Sequence, residues 1–401
     1  MKILILSPFL PWPLESGGKT RIFNLVKRLV SYRVEIVLLF ISNTKIVDEQ
    51  IEELKTLIPS IKIISLVDRR SIWRKLCYYF LLLFKLDSFC YQSIKKQIKS
   101  VIDDENIDII QYEFLQSAKK LPEKIKIKKF LVVHEIISLK LFREAMTTSS
   151  PFKKTILYLK SSLMQFGERA SYKKFDFLIT MSEVDKSYLQ KYFQGPIEIV
   201  PNGASSPANE IKKHPRKINQ IYIMGWFGNV QNIDSLDYFL KDIYPILKKE
   251  KVSLRLAIIG RDLPKKYQEL VNINEAKYYE FIESAKLDEI LSDSVLLAPL
   301  RFAGGTRLKI LEAMARGNPV VSTNIGAEGL EVENNKNILL ADNPVKFAEC
   351  IIRLIKEPSL ADNLANNAKL LVADEYDWQK ITRKQLEIYY NALNYGDFKN
   401  N

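Results

Sequence analysis

The chain has 401 residues, 47% of them hydrophobic, with 60 Lys and Arg against 47 Asp and Glu. That length exceeds one typical domain, and the apolar content supports real cores, which excludes a disordered or fibrous chain. Two histidines exclude a His-rich metal site, and three scattered cysteines (Cys77, Cys90, Cys350) argue against a disulfide framework and against zinc. The net charge of +13 is unevenly spread. Residues 1–200 hold 33 basic against 21 acidic residues, the rest 27 against 26. A Lys-rich compositional bias would load both halves equally. A basic first half instead points to a partner there, since such surfaces attract nucleic acid, anionic membranes or acidic substrates.

Met1–Ser7 reads as a β-strand, without the charged-then-apolar layout of a secretory leader. With the cysteine usage, this predicts the reducing cytosol. The first half alternates apolar runs with amphipathic stretches. Strands are expected at Lys2–Leu6, Val34–Ile41, Lys62–Leu66, Asp108–Gln111, Phe130–His134, Phe177–Thr180 and Ile197–Val200, with a helix over Gly18–Ser31. Residues 204–219 are polar, contain Pro207 and Pro215, and read as a linker. A second series then begins, with strands at Gln220–Gly225, Ser253–Ile259, Lys277–Phe281, Val295–Ala298, Pro319–Ser322 and Asn337–Leu340. Helices follow at Val345–Ile355, Ser359–Val372 and Trp378–Leu393. The pattern is α/β with two doubly wound, Rossmann-like parallel sheets. The expected division is 1–203, a linker 204–219, 220–375, and a final helix and tail 376–401.

Three features of the first half carry chemistry. The loop Pro8–Gly18 is stiffened by proline and ends in Gly17-Gly18 at the start of a helix. Gly18-Lys19-Thr20 ends like a phosphate-binding loop, but the first glycine of that motif would fall at Pro13, which lacks the backbone N–H the cradle uses. His134 ends an apolar strand, where ligands of open α/β sheets bind; a satisfied structural histidine fits the same position. Residues 69–91 place Arg69, Arg70, Arg74 and Lys75 before the apolar run Leu76–Phe84, which is far shorter than the roughly 20 residues of a bilayer span. A buried helix and a helix lying in a membrane interface both fit this run.

The most informative stretch is 304–330. The strand Val295–Ala298 ends at Pro299, and Gly304-Gly305 precedes a helix that Thr306 can cap. Free amides at a helix N-terminus suit phosphate. Lys309 and Glu312, three apart, share a face. A cation near phosphate and a carboxylate one turn deeper suit a nucleotide, diphosphate first and ribose hydroxyls next. An ordinary βα unit with a solvated Lys-Glu pair fits the same residues.

The run from Gly304 to Ala315, with Gly317, Pro319–Thr323 and Gly326–Leu330, resembles the donor-binding segment of retaining family-4 glycosyltransferases of the GT-B fold. The resemblance implies two domains facing across a cleft, with the C-terminal helix crossing back to the first. It implies a nucleotide-sugar donor, a glycan or lipid-linked acceptor, and a place in bacterial surface polysaccharide biosynthesis. No nucleic acid partner and no cofactor are expected. Peripheral membrane attachment through the basic first half is a further expectation.

The resemblance also implies roles for individual residues. Glu312 would bind the donor ribose, while Gly17, Gly18, Gly228, Asn229, Arg261, Gly304, Gly305 and Thr306 would approach the donor. His134 would hydrogen-bond a sugar hydroxyl or the acceptor. Arg307 and Lys309 would stabilise charge on the leaving phosphate, and with no Asp-x-Asp triplet in the chain no metal is expected. One departure is Gly304, where many members carry a first glutamate; backbone amides at Gly305 and Thr306 would take over its contact to the donor sugar. A catalytically silent member, a non-hydrolysing sugar-nucleotide epimerase and, remotely, a P-loop nucleotidase are the competing readings.

Overall fold

In the computed structural model, the described residues are 1–42, 48–67, 91–122, 125–205, 217–252, 254–267, 276–282 and 284–394. The apolar run Leu76–Phe84, Cys77 and Cys90, and most of the expected linker lie outside them. The chain forms two compact units, each discontinuous in sequence. The first contains the described parts of Met1–Leu141, Tyr158–Pro201 and the residues from Gln379 onward. The second contains Phe142–Leu157 and Asn202–Trp378.

The first unit is built on a seven-stranded sheet. Its strands are β1 (Lys2–Ser7), β2 (Glu35–Ser42), β3 (Lys62–Val67), β4 (Ile109–Glu113), β5 (Lys128–Val133), β6 (Phe177–Thr180) and β7 (Ile197–Ile199), in the order β3-β2-β1-β4-β5-β6-β7. Every pair is parallel. Parallel strands need helices on both faces, which is why these strands read as continuous apolar runs. In β1, Ile3–Ser7 are all buried, and β4 is buried throughout. Leu4, Leu6, Val37, Leu39, Ile110 and Leu131 supply one shared core with Ile94 and Ile98 from the helix Gln92–Glu105.

The second unit repeats the plan with six parallel strands: β8 (Gln220–Met224), β9 (Arg255–Ile259), β10 (Ala276–Tyr279), β11 (Ser294–Ala298), β12 (Val320–Ser322) and β13 (Leu339–Leu340). Their order is β10-β9-β8-β11-β12-β13. Side chains alternate between two cores. Ile221, Ile223, Ile258 and Val295 pack with Phe239 and Phe347. Tyr222, Ala257, Ile259 and Leu296 pack on the other face with Leu311 and Met314.

In both sheets the strand order reverses beside the first strand, between β1 and β4 and between β8 and β11. Such a switch point opens a crevice beyond the carboxyl ends of the strands, the usual ligand site of an open α/β sheet. The Pro8–Gly18 loop and Glu113-Phe114 lie at the first. Residues 225–229 and 299–307 lie at the second.

Expected and observed strands agree closely, with ends shifted by up to two residues. β4 runs on to Glu113, and β5 stops at Val133, so that His134 stands just beyond its carboxyl end. The last helix spans Trp378–Asn394. Among the described residues no helix is long and apolar enough to cross a membrane.

Candidate active site

In the second unit the chain leaves β11, passes Pro299, and turns through Gly304-Gly305-Thr306 into the helix Leu308–Ala315. Gly305 has φ +67, a left-handed conformation natural to glycine. The expectation that Thr306 caps this helix is not met. Arg307 occupies the capping position with extended backbone angles and makes no side-chain cap. The Thr306 hydroxyl instead accepts from Asn202 Nδ2 at 2.8 Å. The reason is local: the Arg307 guanidinium folds back and donates to the Gly304 carbonyl at 2.6 Å. It thereby closes the turn from within, and Arg307 is itself buried.

Lys309 and Glu312 follow on that helix, as expected. The Lys309 ammonium donates to the Met224 carbonyl at 2.9 Å and to Asn232 Oδ1 at 3.1 Å, at the carboxyl end of β8. Asn232 Nδ2 in turn donates to the Trp226 carbonyl at 2.8 Å. Burial, with the Arg307 charge added, lowers the Lys309 pKa to about 7. The amine is therefore readily neutralised, and an incoming anion would favour its charged form.

Glu312 lies one turn deeper. Burial raises its pKa, and the Arg316 charge opposes that rise. Arg316 gives its Nε to Asp288 at 3.0 Å and an NH1 bond to the Glu312 carbonyl at 3.1 Å. No hydrogen bond or ion pair reaches the Glu312 carboxylate from the described residues. The Glu312 side chain is half-buried, which leaves its carboxylate within reach of a ligand's donors.

The remaining second-unit candidates lie at strand ends. Gly228 is in the turn after β8, and the Asn229 side chain caps the helix Val230–Tyr238 by accepting from Gln231 N at 3.4 Å. Arg261 follows β9, is exposed, and accepts from Phe227 N at 2.9 Å through its carbonyl. Sequence reasoning passed over one strong contact here. Arg143 makes a two-pronged pair with Glu328, at 2.6 and 2.7 Å, and also donates to the Ala303 carbonyl at 3.1 Å. It braces the segment just before the glycine turn.

In the first unit, Gly17 and Gly18 begin the helix Gly17–Ser31, whose cap is Ser16, accepting from Lys19 N at 3.4 Å. A Cβ on Gly18 would come within 2.5 Å of the Phe114 ring. That ring stacks on His134 at 3.7 Å between centroids, nearly parallel at 6°. Lys19 is paired with Glu15 at 2.9 Å.

His134 Nε2 lies 2.5 Å from Glu113 Oε2, and Glu113 Oε1 accepts from Gln111 Nε2 at 2.6 Å. Gln111 Oε1 accepts from Gln385 Nε2 at 3.0 Å and from the Tyr389 hydroxyl. Burial pulls the His134 pKa down, against the opposing effect of Glu113. A neutral imidazole donating Nε2–H to a carboxylate leaves Nδ1 as an acceptor. Sequence reasoning found His134 but not its partners. Two polar residues at alternate positions of one strand, Gln111 and Glu113, were the available signal.

Arg21 is fully buried beside Glu113, donating to the Val200 and Pro201 carbonyls at 2.9 and 2.6 Å. Among the described residues, no group of three or more His, Cys, Asp or Glu is gathered to hold a metal ion.

Residues 221–357 match the family described as "Glycosyl transferases group 1". That span holds β8 to β13 and the whole glycine-turn helix. A staphylococcal TarM mutant, solved with fondaparinux, alpha-GlcNAc-glycerol and UDP, superposes with a TM-score of 0.70 at 14% identity, over 97% of this chain and 99% of that one. The fold is GT-B. An uncharacterized 44.6 kDa protein of the cps region of Klebsiella pneumoniae is 22% identical over 402 residues, covering 95% of this chain and 97% of that protein. An uncharacterized glycosyltransferase of Methanocaldococcus jannaschii is 25% identical over 303 residues, covering 73% of this chain and 77% of its own length. The GT-B frame puts Gly304–Glu312 at the switch point of the second sheet and His134 beside that of the first.

Proposed function

We propose that this chain is a glycosyltransferase that moves a sugar from a nucleotide-sugar donor to a glycan or lipid-linked acceptor, with retention and without a metal. The observation that carries the reading is the Glu312 carboxylate, which meets no hydrogen bond from the described residues, one turn behind the Lys309 amine held at the Met224 carbonyl and Asn232 Oδ1. Ribose offers the hydroxyl donors that Glu312 lacks, and a diphosphate offers the negative charge that re-ionises Lys309. The match over residues 221–357 supports the reading, as does the UDP in the TarM structure. The Klebsiella relative's place in a cps region supports a role in surface polysaccharide synthesis.

Charge builds on the departing phosphate as the glycosidic bond breaks. In this reading Arg307, Lys309 and the amides of the Gly304–Thr306 turn stabilise it, the task a metal performs elsewhere. The acceptor attacks from the face the phosphate leaves, and the phosphate takes the acceptor proton. That accounts for a site without a dedicated base. The His134 Nδ1 accepts a hydroxyl of the acceptor or of the donor sugar, while Glu113 fixes the ring.

The test is incubation of purified chain with a panel of nucleotide sugars and polyprenyl-linked acceptors in EDTA, reading released nucleoside diphosphate and the anomer formed. Retained configuration and unchanged turnover in EDTA are expected. Inverted product or strict dependence on Mg²⁺ or Mn²⁺ contradicts the retaining or the metal-free part respectively. Epimerised donor without transfer points to the epimerase, and no turnover on any donor to a silent member.

A further inference from the structure

We propose that the solvent face of the helix Pro151–Tyr172 is a docking surface for an anionic lipid bilayer. Leu159, Leu163 and Phe166 are 62%, 56% and 65% exposed. Their spacings of four and three residues place them on one face of the helix. At 1.5 Å rise per residue the stripe is about 10 Å long. Isolated exposed leucines need no explanation, whereas an aligned row of three large apolar side chains marks an interaction surface.

The helix cannot turn this stripe inward. Its other face is fixed by buried polar contacts, with Ser161 donating to the Ser138 carbonyl at 2.8 Å. Glu168 accepts from Ile137 N at 2.8 Å and from the Ser138 hydroxyl at 2.5 Å. Leu157 and Tyr172 are buried on the same side.

Charge selects the occupant. Glu168 is the one acidic residue of the helix, and it is buried. Lys160, Lys173 and Lys174 are exposed on or just beyond it. An apolar stripe flanked by lysines, on a helix with no exposed carboxylate of its own, matches acyl chains below anionic headgroups. A second copy of the chain would bring lysine rows against each other. The excess of basic residues in 1–200 points the same way. The proposal rests on the proposed function and deepens the lipid-linked part of its acceptor.

Vesicle sedimentation of the full chain, without donor or acceptor, tests it, so that failure here leaves the transfer assay untouched. Vesicles of equal phosphatidylglycerol and phosphatidylcholine should bind the chain at least tenfold better than pure phosphatidylcholine, and added salt should weaken the binding. Replacing Leu159, Leu163 and Phe166 together with Ser should lower partitioning about tenfold or more at an unchanged melting temperature. A second variant, Lys160→Gln with Lys173→Gln and Lys174→Gln, should lose about fivefold per lysine near the surface at low salt. Equal binding to neutral vesicles overturns the proposal, as does a serine variant that binds like the wild type. No vesicle binding, with a dimer in sedimentation equilibrium that the serine variant disperses, assigns the face to self-association and also overturns it.

Discussion

Lys309 is held by two oxygens, yet burial brings its pKa to about 7. The free chain therefore carries the ammonium below that pH and loses it above. A bound diphosphate favours the charged form and raises the pKa again, so binding above pH 7 takes up a proton. Donor affinity should be flat below pH 6, then fall as pH rises through 7, with a slope approaching tenfold per unit. Calorimetry in buffers of different ionisation enthalpy checks this, and Lys309→Ala should abolish the slope. Glu312→Ala should weaken donor binding roughly ten- to a hundredfold, from charge-assisted bonds of about 1.5–3 kcal/mol, with little loss of stability. Unchanged nucleotide affinity would rule out a ribose contact. Helical spacing showed that Lys309 and Glu312 share a face, while their proposed donor roles came from the family resemblance. Glu113 was not legible in the sequence, because its importance comes from the His134 ring meeting it across neighbouring strands.

At the scale of elements, the site rests on segments far from it in the chain. The last helix supplies Gln385 and Tyr389, which fix Gln111, which fixes Glu113 under His134. Gln385→Leu leaves Gln111 short of a donor in a buried place, at a cost of about 1–3 kcal/mol in stability. Turnover should fall while nucleotide affinity stays unchanged, a split that general destabilisation would not produce. A nucleotide affinity that falls in parallel would contradict the positioning role. The glycine turn makes a second prediction. Gly305→Val forces a branched side chain into φ +67, where ordinary residues lose about 1–2 kcal/mol. Donor binding should weaken more than thermal stability, measured by nucleotide titration beside a melting curve. Turns of this kind show in sequence through their glycines. The capping residue did not: Thr306 looked like the cap, but Arg307 folding onto Gly304 determines the turn.

For the whole molecule, alternating apolar and amphipathic runs revealed two parallel sheets, because buried parallel strands leave no polar face to confuse the pattern. The resemblance implied that the C-terminal helix joins the first unit, and it does. That residues 142–157 join the second unit was not legible, because packing between distant stretches decides it. The central claim of the proposed function is that the donor nucleotide is held through Glu312 at the switch point of the second sheet. Isothermal titration of UDP, GDP, ADP and TDP into wild-type chain, Glu312→Ala and Glu113→Gln tests this most directly. The account predicts saturable binding of at least one diphosphate to the wild type, a ten- to hundredfold weaker complex for Glu312→Ala, and wild-type affinity for Glu113→Gln. Binding of none of the four, or equal binding by the wild type and Glu312→Ala, would contradict it.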